Sequence, residues 1–312
     1  MNHELLITQF LSSPWALMPE YLNAASALVQ RWASGAAVSP EVLASVRADA
    51  QARNARMDQN QVAGSGAIAV LPFYGVVTQR GNMMDDLCGP GSVSTQRFTQ
   101  QFRQALADDT VGAILIDIDS PGGSVYGVSE LADEIYQSRA VKPIVGLANS
   151  LCASAAYWVG TAAGELYVTP GGEVGSIGVW QAHMDYSKAM AEDGVTPTLI
   201  SAGKFKVEGN PYNPLDDEAK AFLQSRVNDY YGAFTGGVSR NMGVPLSKVL
   251  DGMGQGRCLG ADAALQQGLV TGIMTFDQVL SKMQQDLRST PPSAKAHGRR
   301  LAQAQAELMS LG

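Results

Sequence analysis

A serine within a run of small residues is the first candidate for chemistry. Residues 149–158 read NSLCASAAYW and follow the aliphatic run PIVGLA, which predicts that Ser154 lies where a strand passes into a helix. Backbone dipoles at the start of a helix favour developing negative charge. Ser154 is therefore a candidate nucleophile, and Cys152 beside it is interpreted as a small packing residue.

A serine needs a base before it can attack a carbonyl group. The histidines are His3, His183 and His297, and the first and last fall in the predicted ends of the chain. His183 is more typical of a structural or surface residue than of a triad member. A neutral lysine remains, and burial can lower the pKa of a lysine far enough. The stretch SAGKFKVEGNP offers Lys204 and Lys206, and either could be that base.

A glycine-containing loop is the second chemical signal. Residues 119–124 read DSPGGS between an aliphatic strand and an amphipathic helix, where backbone N–H groups can approach an oxyanion closely. The loop has neither the GxGxxG spacing nor the lysine of a phosphate-binding loop. An ordinary tight turn is an equally good interpretation. Asp117 and Asp119 share a strand face, and we expect the Asp119 side chain to order the turn after its strand rather than to form a catalytic pair with Asp117.

Composition excludes several function classes. The 312 residues are 46% hydrophobic and 16% charged, enough for one large domain or two small ones with a core. The formal charge of -7 and the absence of a basic cluster argue against a nucleic-acid partner. The sequence contains no membrane-spanning run and no paired cysteine motif, because Cys88, Cys152 and Cys258 are far apart. A soluble protein of a reducing compartment is predicted.

The order of apolar runs predicts an α/β fold. Six aliphatic runs predict buried strands, and they fall at 67–77, 112–119, 143–148, 165–168, 178–183 and 196–202. Helical periodicity predicts a long helix over about 216–242 with a broad apolar stripe, part of which is expected to contact another subunit. We predict an N-terminal helical region over 1–57, a linker over 58–66, the main domain over 67–285 and a flexible tail over 286–312.

Several of these segments together carry a resemblance. The order of strand, SPGG loop, small-residue serine helix, GSIGV and a GKxK segment resembles the serine peptidase family of signal peptide peptidase A, whose fold is ClpP/crotonase-like. KVEGNPYNPL and the upstream region are most similar to the capsid-maturation (prohead) proteases of lambda-like tailed phages. The resemblance covers roughly residues 67–273.

The resemblance implies a Ser-Lys dyad, with Ser154 as nucleophile and Lys206 as general base, and leaves Lys204 auxiliary. It implies an oxyanion hole formed by the N–H groups of Gly122 or Gly123 and of Ala155. Ser176 is a weaker candidate for orienting the lysine. No metal and no cofactor is implied. The implied partners are a capsid scaffold or portal protein as polypeptide substrate and further copies of the chain in a homo-oligomer, in the host cytoplasm or inside the prohead.

Two features set expectations about the ends of the chain. We expect no N-terminal membrane anchor, which favours a soluble polypeptide over a membrane-bound signal peptide as substrate. The short stretch after the main domain makes a scaffold function within the same polypeptide doubtful. The alternatives are a soluble bacterial protease like signal peptide peptidase, a crotonase-type acyl-CoA enzyme and a non-enzymatic capsid assembly factor.

Overall fold

A parallel β-sheet organises the molecule in the computed structural model, which describes residues 14–18, 67–80 and 92–289. The strands of this sheet are β2 (Ala67–Tyr74), β5 (Val111–Ser120), β7 (Ile144–Ala153), β8 (Glu165–Val168), β9 (Glu173–Gly175), β10 (Cys258–Gly260) and β11 (Gly272–Ile273). β5 lies between β2 and β7. The first half of β7 pairs with β8 and its last three residues pair with β9. Among the described strands of this sheet, only β10 runs antiparallel to its neighbour.

A smaller sheet covers the carboxyl end of the large one. Its order is β1 (Trp15–Leu17), β6 (Gly122–Ser124), β3 (Val76–Thr78) and β4 (Ser92–Ser94). β3 is parallel to both β4 and β6, whereas β1 is antiparallel to β6. β6 follows β5 after a single residue, Pro121, so the DSPGG turn links the two sheets.

Helices cover both faces of the large sheet. They are α1 (Thr95–Ala107), α2 (Val128–Ser138), α3 (Ala155–Thr161), α4 (Ser187–Glu192), α5 (Asp217–Met242), α6 (Leu246–Asp251), α7 (Ala261–Gln267) and α8 (Phe276–Ser289). Because strand residues alternate between the faces, Ile114, Ile116 and Ile118 face the larger core, which includes α1, α2 and α3. Ala113 and Leu115 face Val279 and Met283 of α8.

The predicted α/β class is confirmed by this arrangement. The strands predicted within 67–77, 112–119, 143–148 and 165–168 and the helix predicted over 216–242 are all present. The strand predictions for 178–183 and 196–202 are wrong. The first stretch forms only an isolated bridge at Trp180, and the second forms no strand and is exposed, because apolar residues alone form no strand without a pairing partner.

The described residues test the predicted domain boundaries only in part. Residues 15–17 form a strand where the sequence predicted helical segments, since β6 supplies a pairing edge that local sequence does not reveal. The rest of the predicted helical region 1–57 and the linker 58–66 lie outside the described residues. The predicted boundary between 285 and 286 falls inside α8, which continues to Ser289. The remainder of the predicted flexible tail also lies outside the described residues.

Candidate active site

Ser154 sits in a strained turn between β7 and α3. Its φ is 55° and its ψ is -118°, a conformation that a side chain with a Cβ rarely adopts and that is typically kept at functional positions. The Ser154 N–H donates to Gly175 O at 2.7 Å and its carbonyl accepts from Trp158 N–H at 3.0 Å. The sharp turn is therefore fixed on both sides by backbone hydrogen bonds.

The helix behind Ser154 is held rigidly. All seven residues of α3 are buried, and Trp158 stacks on Phe234 of α5 with ring centroids 5.1 Å apart. The Tyr157 hydroxyl donates to Leu269 O at 2.8 Å. Arg139 holds the far end of α3, because its guanidinium donates to the carbonyls of three consecutive residues, Thr161, Ala162 and Ala163. A helix end secured in this way cannot shift without losing several charge-assisted hydrogen bonds.

The DSPGGS loop lies directly against Ser154. A methyl group on Gly122 would come within 2.9 Å of Ser154 Cβ, and the φ of Gly122 is +92°, so this position requires glycine. Ser120 braces the loop: its hydroxyl donates to Gly75 O at 2.6 Å and accepts from Gly122 N–H at 3.2 Å. Ser120 is not among the candidate residues predicted from the sequence, although a hydroxyl before Pro-Gly-Gly is a known turn signal.

Two of the predicted oxyanion donors, Gly122 and Ala155, differ in whether their N–H groups already form a hydrogen bond. Gly122 N–H is used by Ser120, whereas Ala155 N–H forms no hydrogen bond within the described residues. Ala155 begins α3, so its N–H is one of the unpaired donors at a helix start. The structure thus brings Ser154, Gly122 and Ala155 together.

Within the described residues no hydrogen bond joins Lys206 to Ser154. Ser154 Oγ donates instead to Gly178 O at a long 3.4 Å. Lys206 lies in residues 181–215, here named the lysine arm, and its side chain is exposed. Lys204 pairs with Glu218 at 3.0 Å and lies 4.4 Å from the Phe205 ring centroid. Within the described residues Lys206 has no ion-pair partner, which distinguishes it from Lys204.

The lysine arm exposes an unusual amount of apolar surface. Every residue from 191 to 206 is exposed, and Ile200 keeps 95% of its surface in solvent. The other exposed large apolar residues of the arm are Met184, Tyr186, Val195, Leu199, Phe205 and Tyr212. Exposed apolar patches of this kind usually mark an interaction surface.

The remaining candidate residues are His183, Cys152 and Ser176, and each is held by contacts within the fold. His183 Nε2 lies 3.0 Å from Asn210 O inside the lysine arm, so the histidine links two parts of that segment. Cys152 is fully buried and burial raises the pKa of its thiol, which keeps it protonated. Ser176 has a φ of 53°, and its N–H donates to Arg257 O at 2.8 Å. Its hydroxyl has no partner within the described residues.

Asp117 and Asp119 form no catalytic pair in the structure. Asp117 is buried and accepts a hydrogen bond from the Tyr74 hydroxyl. Burial raises the pKa of its carboxyl group, while hydrogen bonding by Tyr74 and Asn149 acts in the opposite direction. Asp119 is exposed, and it is its carbonyl that orders the turn by accepting from Gly75 N–H at 2.8 Å. The expectation that the Asp119 side chain orders the turn is therefore wrong.

Comparison with known proteins identifies the domain around Ser154. Residues 136–289 match Peptidase family S49. The chain carries a peptidase family S49 domain. This match agrees with the ClpP/crotonase-like fold that the sequence resemblance implies.

The S49 domain has relatives among phage proteins. The chain is similar to Capsid assembly protease C of Escherichia phage lambda, with 33% identity over 243 residues, which are 78% of this chain and 54% of that protein. It is also similar to Head-tail preconnector protein GP5 of Enterobacteria phage P21, with 29% identity over 298 residues, 92% of this chain and 58% of that protein. The chain thus spans little more than half the length of these relatives.

Among solved structures, a ClpP1 mutant from Listeria monocytogenes aligns with 72% of this chain and 98% of its own, at 13% identity and a TM-score of 0.41. Within the described residues no helix has the length and apolar character to cross a bilayer. The same residues contain no group of three or more His, Cys, Asp or Glu side chains that could hold a metal ion.

Proposed function

We propose that the chain is a serine endopeptidase in which Lys206 activates Ser154. The observation that carries the proposal is the strained Ser154 turn, packed against a glycine loop and followed by the unpaired N–H of Ala155. These are the parts that acyl transfer needs: a nucleophile and donors for the oxyanion of the tetrahedral intermediate.

The reaction would run in two steps. The Lys206 amine takes the Ser154 proton, the alkoxide attacks a peptide carbonyl, and the N–H groups of Ala155 and of Gly122 or Gly123 stabilise the oxyanion. The lysine then returns the proton to the leaving amine, and water hydrolyses the acyl-enzyme. Ser176 is buried, its hydroxyl has no partner in the part of the chain that the structure describes, and it would orient the lysine.

Lys206 needs a change of surroundings for this role. A lysine becomes a base near neutral pH only when desolvation lowers its pKa, and Lys206 is exposed in the single chain. The apolar surface of the lysine arm supports closure of the arm over the site, within one chain or between copies. A homo-oligomer would also cover the exposed N-terminal half of α5, where Phe222 keeps 52% of its surface in solvent.

The proposed substrate is a capsid scaffold or portal protein, cleaved during phage capsid maturation in the host cytoplasm or inside the prohead. The support is the pair of phage relatives, one named as a capsid assembly protease and the other as a head-tail preconnector protein. A bacterial protease like signal peptide peptidase stays the alternative. A non-enzymatic assembly role is favoured only by the apolar lysine arm.

Three alanine variants test the dyad. Ser154→Ala and Lys206→Ala should each reduce cleavage of co-expressed scaffold and portal proteins by about 10²–10⁴-fold, the usual contribution of general base catalysis for the lysine. Lys204→Ala is the matched control and should retain most activity, because Lys204 is already paired with Glu218. Cleavage products are followed by mass spectrometry.

The opposite pattern, with Lys204→Ala inactive and Lys206→Ala active, would show that the base is wrongly assigned. Labelling of Ser154 by a serine-directed phosphonate separates a peptidase from a crotonase-type enzyme. Capsid assembly supported by the Ser154→Ala chain with no change in any cleavage product would leave the assembly-factor role instead.

A further inference from the structure

A strand from the start of the chain fills the groove beside Ser154. β1 lies between β6 on one side and Trp180 on the other, and Trp15, Ala16 and Leu17 are 5%, 1% and 3% exposed. Trp15 N–H donates to Trp180 O at 2.9 Å, and Trp180 N–H donates to Trp15 O at 3.0 Å. The Trp180 indole N–H donates to Leu17 O at 2.9 Å. β6 and Trp180 are thus the two walls of the groove, and both bind the main chain of this segment.

The register of β1 places a carbonyl group at the predicted oxyanion donors. Met18 N–H donates to Pro121 O at 3.1 Å, and hydrogen-bonded pairs alternate along an antiparallel ladder. Ala16 and Gly123 therefore form the next hydrogen-bonded pair, in which Gly123 N–H donates to Ala16 O. This assignment agrees with Trp15, whose own N–H and carbonyl turn to the opposite wall.

The same carbonyl lies beside the candidate nucleophile. A methyl group placed on Gly122 would come under 3.0 Å from both the Ala16 carbonyl oxygen and Ser154 Cβ. The hydroxyl of Ser154 points to Gly178 O, which belongs to the wall that carries Trp180. An extended polypeptide presenting a carbonyl to Ser154 would have to lie where β1 now lies.

We propose that Trp15–Leu17 is an internal competitor that holds the peptide groove closed in the full chain. The proposal rests on the proposed peptidase function and adds its regulation. A substrate polypeptide enters in extended form, pairs with β6 and with residues 178–180, and does so only after β1 has left. The place of Ala16 would take a small side chain, because Ala16 is almost fully buried against both walls.

A competitor on the same chain is effective because its binding is intramolecular. Because β1 and the groove belong to the same chain, β1 competes at an effective concentration that a free substrate must exceed, so even a weak three-residue pairing keeps the groove occupied. The apparent affinity for substrate falls by the fraction of chains with an open groove. Release of β1 should therefore raise activity, whereas damage to a purely structural strand should lower it.

The first test is Leu17→Asp in the full chain, with Leu265→Asp as the matched control. The new carboxylate would be buried without a partner at position 17 and would expel the strand, whereas Leu265 is 42% exposed and tolerates the same change. We expect Leu17→Asp to raise kcat/KM for an unstructured polypeptide such as casein about 10-fold, the factor for a groove open in one chain in ten. It should speed phosphonate labelling of Ser154 equally, with Leu265→Asp unchanged.

Ala16→Pro is the second variant, because proline removes the N–H that pairs with Gly123 O and is not accommodated between two paired edges. It should activate like Leu17→Asp. Activity within twofold of the parent in both variants overturns the proposal, and so does a loss of activity in both with a lowered Tm. A parent chain found cut between Ala16 and Leu17 also overturns it, since the segment would then be a substrate.

A binding experiment separates this proposal from the peptidase proposal. The Ser154→Ala chain carrying Leu17→Asp is titrated calorimetrically with a synthetic peptide of residues 12–20, SSPWALMPE, which should bind the vacated groove. The same peptide with aspartate in place of leucine should not bind, and the Ser154→Ala chain with its own β1 should bind the peptide at least about 10-fold more weakly. Binding in this pattern without any catalysis by the Leu17→Asp chain that keeps Ser154 would remove the peptidase and keep the internal competitor. Equal binding by both chains, or by neither, removes the competitor.

Discussion

The segment around Ser154 and the lysine arm differ in what holds them in place. Ser154 is 1% exposed and is followed by seven buried residues of α3, whereas all residues from 191 to 206 are exposed. One half of the proposed site is thus built into the core of a single chain, and the other half is not. Under the proposed mechanism, folding of a single chain prepares the nucleophile, whereas the lysine base would become available only once the arm closes.

Among the tests of this contrast between the two regions, the largest expected effect is at Gly122, beside Ser154. Gly122→Ala places a methyl group under 3.0 Å from Ser154 Cβ at a φ of +92°, so the loop must shift away from the nucleophile. A misplaced oxyanion donor typically reduces the rate by about 10²–10³-fold, and we expect this loss in kcat/KM for a protein substrate.

Gly171→Ala is the matched control, because a Cβ at Gly171 would meet nothing within 4 Å. Its kcat/KM should stay within twofold of the parent. If Gly122→Ala behaved like this control, the DSPGGS loop would have no part in catalysis.

A pair of isoleucines tests the contrast in packing directly. Ile118 is fully buried in β5 and Ile200 is 95% exposed on the lysine arm. Ile118→Ala should lower the free energy of unfolding by about 2–5 kcal/mol because it leaves a cavity, whereas Ile200→Ala should change it by less than about 0.5 kcal/mol. Urea unfolding measures both.

The exposed isoleucine should matter in another assay. If the lysine arm is covered in the assembled protein, Ile200→Ser should shift size-exclusion profiles toward smaller species at equal protein concentration and should lower activity in parallel. An Ile200→Ala chain that is as unstable as Ile118→Ala would show that the arm packs on its own body and would remove the contrast.

The smallest expected effect is a pH-dependent one, at Asp117. Burial raises the pKa of this carboxyl group, so the folded chain binds the proton more tightly than the unfolded chain. The stability cost is therefore absent below the unfolded pKa of about 3.9 and grows as pH rises through the folded pKa. Asp117→Asn should raise the free energy of unfolding by about 1 kcal/mol near pH 8 and by nothing near pH 3.5.

Asp119→Asn is the control, because Asp119 is exposed on the same strand. It should leave the unfolding curves unchanged at both pH values. A stabilisation by Asp117→Asn that is the same at pH 3.5 and pH 8 would contradict the assignment of the cost to the charged carboxylate.

The residue patterns in the sequence predicted those strands, helices and turns that depend on neighbouring residues in the chain. The aliphatic run at 165–168 matches β8 residue for residue, and the helical period over 216–242 matches α5 within one residue. The turn at Ser154 was also predictable, because small residues follow an aliphatic strand there. These features depend on neighbours in sequence.

Features that depend on distant partners were not predictable. β1 exists only because β6 and Trp180 offer edges far along the chain, and the Tyr74 contact with Asp117 joins two strands. Conversely, residues 196–202 (TPTLISA) have the composition of a strand but pair with no strand among the described residues and stay exposed. Pairing across a sheet is set by tertiary context and not by composition. The position of Lys206 relative to Ser154 belongs to the same class.

The long helix α5 connects the lysine arm to the core of the protein. It has 26 residues, a rod of about 39 Å, and its buried residues after Ala219 all fall at Phe234 or later. The Lys204 ion pair with Glu218 ties the arm to the outer end of this rod. A tilt of about 5° at the anchored end would move the outer end by about 3 Å, given that length. Through the ion pair with Glu218, a small rotation at the buried end of α5 would therefore displace Lys204 by about the length of a hydrogen bond.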